Sequence, residues 1–270
     1  MKATKFIYKV IIALLVSAQL FAATGCKEKS GSVKPASEKD FNIELSRWVD
    51  GLSVEYKGKN ENLVVPSTIQ DKPVLFVKIY DDKSKIKSLV IPEGVKGIDV
   101  TAYGLKNIQL PSTLIYIDLT SDVEEIEIPN GVVDLRHCSS KSLKSLTIPE
   151  GVKYLGDVGY ECNALESVTL PKSLRKIYYH AFVDCDNLKE INIPEEGLFV
   201  YFDNNKPDMP YTTARDCFTG KIIDNSVELQ ETLKKIKVAG DEWGFRDSLK
   251  EYGDWYYSPD GIGGILNFLY

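Results

Sequence analysis

Three cysteines are the most regular of the reactive side chains: Cys138, Cys162 and Cys185 recur at almost equal intervals. Thiolates are nucleophiles and metal ligands, so such a ladder could hold a metal or cycle through a disulfide. If the interval is a structural period, equivalent thiols lie on strands about 4.8 Å apart with parallel Cβ vectors. That geometry suits a disulfide badly. Free cysteine also behaves as a small buried hydrophobe, and that is the role expected here. Cys138 precedes Leu143 by five residues, whereas Cys162 and Cys185 precede Leu165 and Leu188 by three, so its register is offset. Cys217 has no counterpart in the pattern.

The other candidates for chemistry are sparse. His137 and His180 are the only two histidines. Neither has neighbours at zinc-ligand spacing, so surface or repeat-filling roles are expected. The sequence contains no Gly-x-Ser-x-Gly elbow, phosphate loop, dinucleotide fingerprint or His-Glu-x-x-His. Glu124-Glu125 and Glu195-Glu196 are paired acids, but nothing in the pattern sets a glycosidase separation between them. The expectation is a protein that is not an enzyme, with no cofactor and no metal.

Composition narrows the class further. The chain has 270 residues, 43% hydrophobic and 10% aromatic, which excludes a wholly disordered polymer. Thirty-three basic against 39 acidic residues give a formal charge of −6. A nucleic-acid binder needs a basic face to displace counterions, so no nucleic-acid partner is expected.

Residues 1–25 read as an address. Lys2, Lys5 and Lys9 precede an apolar run from Val10 to Thr24. A helix over that run reaches about 22 Å, short of the roughly 30 Å hydrocarbon core, which favours a secretory signal over a span. Ala23-Thr24-Gly25-Cys26 resembles the lipobox of bacterial lipoproteins, with Ala23 where leucine is usual. That resemblance implies cleavage before Cys26 and a diacylglycerol on its thiol, an exported protein, and an outer-membrane or cell-surface address. Residues 26–40, rich in Lys, Glu and Ser, read as a flexible tether. Losing Lys2, Lys5 and Lys9 and no acid makes the mature chain more acidic still, so membrane contact should be through lipid alone.

The elements that position everything else form a repeat. Pro66, Pro92, Pro111, Pro129, Pro149, Pro171 and Pro194 each follow a short β-like run, widest apart between Pro66 and Pro92 and closest between Pro111 and Pro129. Five units share one frame: LVIPEGVKGI, IQLPSTLIYI, IEIPNGVVDL, LTIPEGVKYL and VTLPKSLRKI. A period of about 20 with one short strand per unit predicts a solenoid, whose units bury their faces only by stacking. Proline ends each strand, and the later apolar pair, such as Leu114 and Ile117, returns to the core from the opposite wall.

These units resemble BspA-type leucine-rich repeats of bacterial surface proteins, most fully at Ala181-Phe182, Cys185, Leu188, Ile191, Ile193 and Pro194. The stretch after Asp50-Gly51 is similar to the hairpin that opens such arrays. The fold expected is a β-rich repeat solenoid over 41–202, with an N-terminal β-hairpin cap and a mixed α/β cap in 203–270. The central units lack the Ala-Phe element, so their far side is expected to be trimmed or irregular. The resemblance implies adhesion to an extracellular protein or glycan.

Outward strand positions then define a concave binding stripe: Asn107, Gln109, Glu125, Glu127, Ser145, Thr147, Ser167, Thr169, Glu190 and Asn192. The stripe is polar and contains no aromatic residue, which predicts weak or avidity-driven contacts. Apolar residues at helical spacing over 226–238, stopped by Gly240, predict a helix in the C-terminal cap. Trp255, Tyr256 and Tyr257 offer an alternative site, a platform on which sugar rings stack.

Overall fold

Each proline-marked unit folds as one turn of a solenoid with two walls of strand. The computed structural model describes residues 34–45, 50–160, 162–178, 181–203 and 217–238. The strands run β1 (Phe41–Leu45), β2 (Leu52–Tyr56), β3 (Asn62–Val64), β4 (Thr68–Ile69), β5 (Lys72–Asp81) and β6 (Ser88–Val90). They continue as β7 (Gly97–Ala102), β8 (Asn107–Gln109), β9 (Tyr116–Ser121), β10 (Asp134–Ser140), β11 (Ser145–Thr147) and β12 (Tyr154–Val158). The last turns hold β13 (Ser167–Thr169), β14 (Lys176–Tyr178), β15 (Glu190–Asn192) and β16 (Leu198–Asp203). Two short helices, α1 (Lys221–Asn225) and α2 (Val227–Leu233), precede β17 (Ile236–Val238).

The prolines act as turn starters. Each carbonyl of Pro92, Pro111, Pro129, Pro149 and Pro171 accepts the N–H three residues on. Gly94 and Gly151, third in their turns, sit at φ 100° and 105°, where glycine carries no Cβ penalty. The chain then runs back as the longer strand of the turn. Ile98, Val100, Ile117, Leu119, Leu135, Leu155 and Ile177 point inward from that wall and are buried. Leu89, Ile91, Leu146, Ile148, Val168 and Leu170 meet them from the pre-proline wall, and Leu105, Leu143, Leu165 and Leu188 fill the corner. Each such side chain contributes about 1.5–3 kcal/mol of burial, which is why no unit stands alone.

Two expectations are corrected here. The far side is neither trimmed nor irregular: it is the principal sheet, in the order β1-β2-β5-β7-β9-β10-β12-β14-β16-β17. Each unit therefore carries two strands, not one. The pre-proline strands, expected to line one continuous face, form two three-stranded sheets, β3-β6-β8 and β11-β13-β15. Between them residues 122–129 hold no strand.

The physical reason lies across the core. Relative to β9, β10 gains a residue between Leu135 and His137, a β-bulge at Arg136. The turn from Pro111 to Pro129 is the shortest in the array, and the next, from Pro129 to Pro149, is longer. Both ladders cannot stay in register across that change. The long ladder, with six paired residues between β9 and β10, is kept, and the three-residue ladder is lost.

At the N-terminal end β1 pairs antiparallel with β2, and the rings of Phe41 and Tyr56 lie 5.4 Å apart. At the other end the segment read as one helix over 226–238 is divided. Ser226 Oγ caps α2 by accepting from the Leu229 N–H, and the helix closes at Leu233. Ile236–Val238 instead add a parallel rung to β16. That edge would otherwise present unpaired backbone groups, and strand pairing overrides helical spacing there. Phe218 stacks on Phe182 with ring centroids 4.8 Å apart, tying this segment to the last turns.

Candidate functional site

The long sheet presents three rows of side chains away from the core, because alternate strand residues face opposite ways. Strand register aligns Phe76, Gly97, Tyr116, Asp134, Tyr154 and Lys176 in the first row. The second holds Lys78, Asp99, Asp118, His137 and Asp157. The third holds Tyr80, Thr101, Thr120 and Ser139. In the first row Gly97 lacks a side chain, and the flanking rings of Phe76 and Tyr116 meet over it at 5.9 Å.

His137 is the centre of the second row. Its Nδ1 lies 3.1 Å from Asp118 Oδ1 and its Nε2 3.2 Å from Asp157 Oδ2, so one ring bridges carboxylates from two neighbouring strands. Contact with Asp118, then with Asp157, pushes the imidazole pKa up to about 10. The ring is therefore an imidazolium at neutral pH. With both nitrogens protonated it has no lone pair for general-base work.

Its neighbours are charged and incompletely solvated. Tyr80 Oη donates to Asp99 Oδ2 at 2.5 Å. Burial, reinforced by Asp118, raises the Asp99 carboxyl above its usual range despite that bond. Asp134 is buried and its Oδ2 accepts from Arg136 Nη2 at 3.0 Å. Burial still pushes the Asp134 carboxyl up, and Asp134 in turn raises the Arg136 guanidinium. The bulge lets Arg136 fold back over its own strand onto Asp134 while His137 keeps its outward alignment.

The thiols offer no chemistry of their own. Cys138, Cys162, Cys185 and Cys217 are all buried. Burial pushes the Cys138 and Cys185 thiols up to about 12, far from the thiolate form. Cys185 Sγ donates to the Gly159 carbonyl at 3.0 Å, and Cys162 Sγ accepts the Ser140 N–H at 3.3 Å. Among the described residues no group of three or more His, Cys, Asp or Glu is placed to hold a metal.

The stripe read from the sequence lies on the other wall and is divided in two. Asn107 and Gln109 stand exposed on β8, Ser145 and Thr147 on β11, Glu190 and Asn192 on β15, while Ser167 and Thr169 on β13 are half-buried. Glu125 and Glu127 sit in the strandless stretch between the two short sheets, and both are exposed. Cys26, Trp255, Tyr256 and Tyr257 lie outside the described residues. The Asp99–Asp118–His137–Asp157 row was missed, although a signal for it exists. Aspartate stands seven residues after Pro92 and Pro111 and eight after Pro149, flanked each time by residues that belong to the core wall.

Stacked two-walled turns with a proline-ended short strand define a leucine-rich repeat solenoid. Residues 119–204 match the BspA type leucine rich repeat region in six copies. The leucine-rich repeat protein TpLRR of T. pallidum is similar in fold: 23% identity over 77% of this chain and 98% of that one, TM-score 0.57. A leucine-rich repeat protein from Bacteroides ovatus aligns at 19% identity over 65% and 56%, TM-score 0.40. A leucine rich cell surface protein from Faecalibacterium prausnitzii aligns at 14% over 61% and 96%, TM-score 0.19. No curated protein matches the chain.

Proposed function

We propose that this is an exported, lipid-anchored repeat protein that recognises another macromolecule at the bacterial cell surface without catalysing a reaction. One observation carries the reading: reactive groups are withdrawn while polar and aromatic groups are displayed. The described thiols are buried and His137 is held between two carboxylates. Tyr80 and Tyr103, by contrast, are 53% and 55% exposed. Tyrosine and arginine dominate recognition hot spots, and the long-sheet face offers both.

The leader supports the address. Three lysines, an apolar run and Cys26 after small residues form a lipoprotein signal pattern. Among the described residues no helix is long and apolar enough to cross a membrane. Several acyl chains on Cys26, at about 0.8 kcal/mol per buried methylene, would anchor the chain stably.

Radiolabelled palmitate fed to expressing cells tests the anchor, and protease added to intact cells tests the address. Label in the wild type, its loss in Cys26→Ala, and cleavage without lysis are expected. Label that persists in Cys26→Ala overturns the anchor. Complete protection from protease overturns surface display.

A further inference from the structure

On the outward face of the long sheet few hydrogen bonds reach the carboxylates of Asp99, Asp118 and Asp134. A carboxylate can accept several hydrogen bonds, and these three are underused. Asp99 receives one, from Tyr80 Oη. Asp118 Oδ1 faces His137, and its Oδ2 has only Tyr116 Oη at 3.5 Å, the outer limit of a hydrogen bond. Asp134, with 6% of its side chain exposed, has no hydrogen bond at Oδ1. A buried acceptor left unbonded costs about 1–3 kcal/mol, so a donor brought to this face is favoured.

We propose that this face docks an extended protein segment carrying arginine, with the guanidinium bridging Asp99 and Asp118 between the rings of Tyr80 and Tyr116. Asp99 and Asp118 are in register on adjacent strands, about 4.8 Å apart at the backbone. A planar fork of five donors spans two such carboxylates, whereas an ammonium presents a point charge. The ligand should be donor-only, because a sugar hydroxyl brings an acceptor with every donor to a face already rich in acceptors. Five carboxylates, Glu55, Asp99, Asp118, Asp134 and Asp157, share this face with four cations, Lys78, His137, Arg136 and Lys176. Lys78, next to Asp99 in its row, is engaged by Glu44 at 3.8 Å, so the local charge also calls for a cation. Tyr80, 53% exposed beside Asp99, adds a ring face on which a guanidinium stacks.

The inference rests on the recognition reading and names its surface and partner chemistry. Fluorescein-labelled octa-arginine, octalysine and cellohexaose are titrated against the full chain in detergent and followed by anisotropy. Octa-arginine should bind several-fold more tightly than octalysine, and cellohexaose not at all. Asp99→Lys, which leaves the Asp118–His137 pair in place, should weaken octa-arginine at least tenfold with an unchanged melting temperature. Glu125→Gln/Glu127→Gln, an equal charge change on the other wall, should alter binding less than twofold. Equal loss in the two variants, no binding of octa-arginine, or Asp99-dependent binding of cellohexaose overturns the proposal. Surface display that persists while octa-arginine binding ignores Asp99 removes this docking site and leaves surface recognition standing.

Discussion

The imidazole of His137 lies 3.1 Å from the carboxylate of Asp118 on the neighbouring strand, at the rung where β10 bulges away from β9. With Asp157 held on the ring's other nitrogen, one protonated side chain ties three consecutive strands together across the fault in the solenoid. A bulge removes a ladder pairing locally, and the ion bridge supplies cohesion where backbone pairing is weakest.

That relationship carries a pH signature. The folded pKa of about 10 lies above the ordinary 6.5, so the bridge contributes fully below about pH 6.5 and is lost as pH rises through 10. His137→Gln should lower stability at pH 6. With 35% of the ring exposed, the loss is discounted to about 1–2 kcal/mol, or about 3–6 °C in melting temperature. Melting wild type and variant in parallel from pH 6 to 10.5 isolates His137 from Tyr80 and Tyr116, whose own titrations are common to both proteins. The two curves should converge near pH 10. A constant gap across that range would remove the imidazolium from the account.

Gly156 tests the bulge from the other side. A Cβ built there would lie 2.0 Å from the Arg136 carbonyl oxygen and 2.8 Å from its carbon, both backbone atoms that cannot swing aside. Gly156→Ala should therefore cost about 1–3 kcal/mol through overpacking and shift the bulge. Gly94→Ala is the comparison, because its Cβ would meet nothing within 4 Å and only the φ of 100° opposes it. That strain amounts to about 1–2 kcal/mol. Urea unfolding of the two variants ranks them, and an equal or smaller loss at Gly156 would show that the backbone there can yield.

The repeat was legible because proline and the apolar frame act locally. Pro92 or Pro149 starts its turn by fixing its own φ and offering its own carbonyl, whatever lies elsewhere. The choice between walls was not local. Residues 126–129, IEIP, carry the same apolar-x-apolar-Pro frame as their neighbours, yet the structure leaves them out of the strand ladders because Arg136, across the core, changes the register. For His137 the sequence suggests no more than a repeat-filling role, because its two carboxylates lie one full repeat before it and one after it. Only stacking brings them together. For the cysteines the reverse held: spacing alone indicated small buried residues, and burial at Cys138, Cys162 and Cys185 agrees.

Thiol chemistry provides a direct check on the packing. With Cys138 and Cys185 pushed up to about 12 and both buried, neither presents a thiolate to solvent at pH 8. Ellman's reagent added to native Cys26→Ala protein should therefore release almost no thionitrobenzoate within minutes. In concentrated guanidinium the four remaining thiols, Cys138, Cys162, Cys185 and Cys217, should react fully. Rapid native release of even one equivalent would mean that a turn opens readily.

The last prediction concerns the junction at the C-terminal end of the described chain. Phe182 and Phe218 are both fully buried and stack at an interplanar angle of 17°. Around them Thr219 donates its N–H to the Phe182 carbonyl, and Cys185 donates to the Thr219 carbonyl. Solenoids need their last core layer covered, and this contact joins the segment holding α1 and α2 to that layer. Phe218→Ala should destabilise by about 3–5 kcal/mol, since it removes a large ring and leaves a cavity against Phe182. Phe182→Ala should cost a similar amount, and the double variant less than their sum, with a coupling of about 0.5–1.5 kcal/mol from the ring pair. Urea unfolding monitored by far-UV circular dichroism measures all three. Strict additivity would show that the rings do not support one another. A Phe218→Ala protein as stable as wild type would mean that the array closes without this segment.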